Sequence, residues 1–90
     1  MNSEICEEAR HRVFFEIVAG ILRACNGTVG KTLLMYRCNM SFRQLSDYLK
    51  LILDAQLIEI ENEESDISFK ISHKGKRFLE AYENLKVLMR

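Results

Sequence analysis

The sequence predicts a small α+β domain, mainly helical, in the order helix, helix, helix, strand, strand, helix. Two observations carry this. Apolar residues recur at the 3.6-residue period of a helix as far as Asp54, alternate between Leu57 and Ser72, and return to helical spacing from Lys74. The 90 residues contain no proline, no linker-like stretch and no internal repeat, so one unit is expected rather than two.

The first helix is expected from near Ile5 to Cys25. Phe14, Ile17, Val18, Ile21 and Cys25 form one face, widened by Val13 and Leu22, and Asn26-Gly27 stops it. A short second helix follows, near Val29 to Cys38, with Val29, Leu33 and Tyr36 as its stripe and Leu34 and Met35 beside it. Asn39-Met40 is the turn. Ser41 then opens the third helix, where Gln44 three residues on completes a capping box, each side chain serving an end N–H of the other. Its inner face reads Phe42, Leu45, Tyr48, Leu49, Ile52 and Leu53.

Two strands come next. Leu57, Ile58 and Ile60 belong to the first; Ile67, Phe69 and Ile71 alternate with Ser68, Lys70 and Ser72 in the second. The polar stretch "ENEESD" between them makes a hairpin loop. The last helix carries Phe78, Tyr82, Leu85 and Met89 at steps of four, three and four, flanked by Leu79, Ala81 and Leu88.

Three helices followed by a β-hairpin is the winged helix-turn-helix arrangement, and "CNMS" is its tight joint. The expected division is a core with its wing over residues 1–73 and a C-terminal helix over 74–90. In such a fold the third helix enters the DNA major groove, N-terminal residues foremost. Arg43, Gln44, Ser46 and Lys50 are the outer groups able to bond base edges, since Arg and Lys suit guanine and Gln suits adenine. Asp47 repels phosphate but can accept from a cytosine amine. Ser41 marks the helix start, whose free N–H groups favour a phosphate. Lys31, Thr32, Arg37, Lys70, Lys74 and Lys76 are candidate phosphate contacts, and Gly75 stands where a small residue permits close approach.

The 13 basic and 13 acidic residues cancel, which argues against a protein that coats DNA by charge alone. The hairpin tip from Glu61 to Asp66 is acidic and is expected to stay off DNA. An interaction module that has kept the fold without binding DNA is the alternative. The last helix carries more apolar surface than one domain uses. Phe78, Tyr82, Leu85, Leu88 and Met89, with Phe15 of the first helix, form the expected homodimer interface.

Other chemistries find little footing. "CNGTVGKT" has Cys25 where a phosphate-binding loop needs glycine, and it follows a helix rather than a strand. His11 and His73 lack partners at metal-ligand spacing, and no nucleophile–histidine frame is present, so neither metal nor enzyme activity is expected. The acids Glu4, Glu7, Glu8, Glu59, Glu61, Glu63, Glu64 and Asp66 read as solvated runs. Cys6, Cys25 and Cys38, odd in number and widely spaced, read as small hydrophobes of a reducing compartment. With no membrane-length apolar run and no basic-then-apolar start, a cytoplasmic protein is expected. No cofactor or small-molecule effector is indicated.

The pairs Lys31-Thr32, Met35-Tyr36, Met40-Ser41, Tyr48-Leu49 and Leu57-Ile58, with Ile71-Ser72-His73-Lys74-Gly75, together resemble the archaeal winged helix-turn-helix transcriptional regulators. That family is related to small dimeric archaeal DNA-binding proteins. The resemblance runs over about residues 10 to 88. It implies double-stranded DNA binding by a homodimer whose C-terminal helices pair as an antiparallel coiled coil, with no cofactor and no catalytic residue. Two features depart from the family. Glycine often stands where this chain has Gln56, so a left-handed helix end there would cost up to about 1 kcal/mol. The acidic hairpin tip and the zero net charge point away from non-specific coating.

Overall fold

A computed structural model describes residues 3–63 and 66–89, with side chains over 13–61 and 67–89. The elements are α1 (Ser3–Ala24), β1 (Val29–Gly30), α2 (Lys31–Cys38), α3 (Phe42–Asp54), β2 (Ile58–Glu63), β3 (Asp66–Ile71) and α4 (His73–Leu88). The side chains of Glu4, Cys6, Glu7, Glu8, His11, Glu63 and Asp66, and all of Glu64, lie outside the described residues.

The predicted order of helices and hairpin strands is observed. One element is added: Val29-Gly30 is a strand, not the start of the second helix. It pairs antiparallel with β3, Val29 opposite Phe69 and Gly30 opposite Ser68, giving a sheet of order β1-β3-β2. A β-branched residue that buries its side chain between helices and sheet gains more there than as a helix end. Val29 is 4% exposed.

The core gathers Val18, Ile21 and Leu22 of α1 with Cys25 at its end, Val29 of β1, Leu34 of α2, Leu45, Leu49 and Ile52 of α3, then Leu57, Ile58 and Phe69, with Phe78 and Leu79 of α4 packed against it. Burial pushes the Cys25 thiol up to about 11, with Cys38 nearby adding to the rise, so it stays protonated and acts as packing. Phe14 and Ile17 close the α1 face as expected, whereas Val13 stands off it.

Three other expectations need correction. Leu33 and Tyr36 do not form an inner stripe on α2; they are 46% and 82% exposed, and Leu34 alone is fully buried. An eight-residue helix touching the core through one side has no use for a second apolar face. Phe42 leaves the inner face of α3 and is 61% exposed, because the core ends one turn later at Leu45. Ile60 and Ile67 keep strand alternation but are exposed: Ile60 stands on the edge strand β2 opposite the buried Phe69, and Ile67 lies nearer the tip of the hairpin.

α2 and α3 end by the same device. Asn39 (φ 52°) and Gln56 (φ 64°) take the left-handed conformation. The next N–H then reaches back, Met40 to the carbonyl of Met35 at 3.2 Å and Leu57 to that of Ile52 at 3.0 Å. Asn39 thereby makes the three-residue joint between α2 and α3. Gln56 holds the left-handed conformation, which glycine adopts most readily, with a full side chain.

Candidate nucleic-acid interface

α3 begins with the predicted capping box. The Gln44 N–H donates to Ser41 Oγ and the Ser41 N–H donates to Gln44 Oε1, both at 3.2 Å. Gln44 is thus partly occupied in holding its own helix. It also lines a groove with Ile17, Gly20 and Ile21 of α1 and Arg37 of α2.

Ser46 points another way. Its Oγ accepts a 2.7 Å hydrogen bond from Lys31 Nζ, which also lies 3.8 Å from the centroid of the Phe42 ring. At 3.6 residues per turn, Gln44 and Ser46 lie roughly 160° apart around the helix axis. One groove of DNA cannot receive both squarely. Arg43 and Lys50, by contrast, lie roughly 20° apart around the axis and about 10 Å apart along it. Both are exposed, and neither makes an ion pair among the described residues. Asp47 is exposed between them.

Three of the candidate phosphate contacts are held by other groups. Lys31 is committed to Ser46 and Phe42. Arg37 donates to the Ala24 carbonyl at 2.8 Å, capping the end of α1. Lys70 pairs with Glu61 across the hairpin at 3.0 Å, and Thr28 Oγ1 donates to the same carboxylate at 3.2 Å. The hydrogen bond with Lys70 holds the Glu61 carboxyl below its ordinary range, and the same bond raises the Lys70 ammonium. Thr32, Lys74 and Lys76 are exposed. Lys76 shares a shallow cleft with Lys70, Glu59 and His73.

Gly75 makes a close approach, to the protein itself. A Cβ there would overlap the Leu57 carbonyl oxygen and lie 2.7 Å from Ile71 Cγ1. Ser72, 8% exposed, caps this helix by accepting from the Gly75 N–H at 2.9 Å, and its Oγ donates to the Gln56 carbonyl at 2.6 Å.

The candidate dimer residues divide into two groups. Phe78 and Tyr82 are half-buried against α1: Phe78 is 6.2 Å from Phe15, ring to ring, and stacks on Tyr82 at 6.5 Å. Arg23 completes this contact with a 3.0 Å ion pair to Glu83. Past that point Leu85, Leu88 and Met89 are exposed by 53%, 81% and 66%, joined by Val87. Two surface groups escaped the sequence pattern, Phe42 and Tyr36, because both fit a helical apolar stripe. Tyr36 lies beside Ser41 at the start of α3.

No helix among the described residues is long and apolar enough to cross a membrane. A family model described as winged helix-turn-helix matches residues 11–90. No sequence among curated proteins matches significantly. Among solved structures, the chain is similar to Sso10a-2, a DNA-binding protein from Sulfolobus solfataricus, with a TM-score of 0.75 at 24% identity, covering 83% of this chain and 79% of that one. It is also similar to AF1382 from Archaeoglobus fulgidus, with a TM-score of 0.67 at 16% identity, covering 86% and 87%. At these identities the likeness speaks for the fold.

Proposed function

This chain belongs to the winged helix-turn-helix family, and we propose that it binds double-stranded DNA as a homodimer and serves as a cytoplasmic transcriptional regulator. The observation that carries the reading is the outer arc of α3. Arg43 and Lys50 stand two turns apart on one line of the helix, both exposed and without an ion pair among the described residues. That is the arrangement a helix needs to meet two guanines along a groove. The DNA-binding description of Sso10a-2 supports the same direction.

In this reading Asp47, between the two cations, accepts from a cytosine amine and penalises a misplaced phosphate. Thr32, Tyr36, Lys74 and Lys76 hold the backbone, which fixes register without reading sequence. Ser41 presents the open start of α3. Lys31, Arg37 and Lys70 serve mainly their internal partners. The exposed end of α4 joins two subunits through Leu85, Leu88 and Met89, since contiguous exposed apolar surface marks an interface. A two-fold dimer then presents two copies of α3 to a two-fold site.

The test is duplex binding over a salt series. Wild type should bind at low salt and weaken steeply as salt rises. Arg43→Ala with Lys50→Ala should lower affinity at least tenfold while the unfolding transition stays within about 0.5 kcal/mol of wild type. Unchanged binding removes α3 from the interface. Leu85→Glu with Met89→Glu should sediment as a monomer; an unaltered mass removes α4 from the subunit contact.

The second reading is a protein-interaction module. It is favoured by one observation, the neutralisation of the hairpin's Lys70 by Glu61. Absence of duplex binding at low salt would select it.

A further inference from the structure

We propose that Phe42 is a specificity-determining residue that recognises thymine by its 5-methyl group; this rests on the DNA-binding reading above. Phe42 is the first residue of α3, and the first residues of a recognition helix are the ones that reach base edges. Its ring is 61% exposed although it is among the largest apolar side chains in the protein. An aromatic ring in that position needs either a packing partner or a use.

The ring is not loose. Lys31 Nζ lies 3.8 Å from its centroid, and the same ammonium donates to Ser46 Oγ at 2.7 Å. Lys31 opens α2, so the grip crosses the joint between the two helices. The cation covers one face of the ring. Most of the residue stays open to solvent. A ring already fixed in place loses little freedom on binding.

A phenyl ring offers no hydrogen bond to a base edge. The apolar feature that the major groove shows is the thymine methyl, and phenylalanine is suited to it. Ser46 lies on the same flank, roughly 40° around the axis and about 6 Å along it from Phe42. Its oxygen is already accepting from Lys31, so its O–H remains to donate. Thymine O4 and purine N7 are acceptors in the same groove. Phe42 and Ser46 together therefore select a thymine, or a thymine beside a purine, while Arg43 and Lys50 occupy the neighbouring arc.

The test removes the methyl and nothing else. Duplexes are selected from a random pool with wild-type protein, and each thymine of the selected site is then replaced singly by deoxyuridine. At one thymine per half-site, the replacement should weaken wild-type binding about fourfold, the worth of burying one methyl. The same replacement should leave Phe42→Ala unaffected, and Phe42→Leu should keep part of the discrimination. Lys31→Ala should lower the discrimination without changing the salt slope, which a lost phosphate contact would reduce by about one. Wild-type affinity that is indifferent to every replacement overturns the proposal, as does Phe42→Ala with undiminished discrimination. Wild type that binds no duplex at low salt overturns the DNA reading and this inference together. Tight binding without methyl dependence overturns this inference alone.

Discussion

α3 and α4 start from similar stretches of sequence, Ser41-Phe42-Arg43-Gln44 and Ser72-His73-Lys74-Gly75. Both serines cap the N–H three residues on. Around α3 the cap is exposed, Gln44 folds back to complete it, and the first turn offers Phe42 and Arg43 to solvent. Around α4 the cap is buried, its hydroxyl is drawn to the Gln56 carbonyl, and the Leu57 carbonyl sits where a Gly75 side chain would be. The difference lies at the third position after the cap. Glutamine shields an open end; glycine admits the backbone that leads from α3 into β2. A serine cap followed by bases thus marks either a surface for a ligand or a seam in the fold, and the residue at that third position separates them.

Substitutions at the two ends should differ accordingly. Gly75→Ala should be the most damaging, by roughly 3 kcal/mol in denaturant unfolding, because the new methyl overlaps backbone that cannot swing aside. A loss below about 1 kcal/mol would mean that the seam gives way. Ser72→Ala should cost about 2 kcal/mol, losing a cap and leaving the Gln56 carbonyl without its donor. Ser41→Ala should cost about 1 kcal/mol, since its exposed end can turn to water. Equal losses at the two serines would erase the distinction. Gln56→Gly, beside the α4 seam, should stabilise the protein by up to about 1 kcal/mol by relieving the left-handed glutamine. A loss there would show that the glutamine side chain contributes more than its backbone costs.

Much of this was legible in the chain itself. The change of period from 3.6 to two and back placed the helices and the hairpin, and Ser41 with Gln44 announced the capping box that forms. β1 was not legible, since two residues cannot display a period, and Val29 fits a helical stripe with Leu33 as well as it fits a strand. Phe42 and Tyr36 misled for a related reason. Spacing tells which side of a helix an apolar residue occupies, but not whether the core extends that far along the axis. Of the candidate interface, the outward placing of Arg43 and Lys50 was legible in the spacing, and both are exposed; the engagement of the other cations was not. Lys31, Arg37 and Lys70 look like free cations in sequence, and their partners Ser46, Ala24 and Glu61 come from elements that only folding brings near.

The bonds around Ser72 have a consequence for scale. Its N–H donates to the Leu57 carbonyl at 3.0 Å, its hydroxyl to that of Gln56, and its oxygen accepts from Gly75. The tail of α3 and the head of α4 are thereby tied at one knot, as a single bent rod. In a dimer joined through α4, that rod is a ruler. In the dimer proposed above, the gap between the two copies of α3 would be set by the length of α4, about 1.5 Å for each residue, so that DNA would be measured by a helix lying outside its groove.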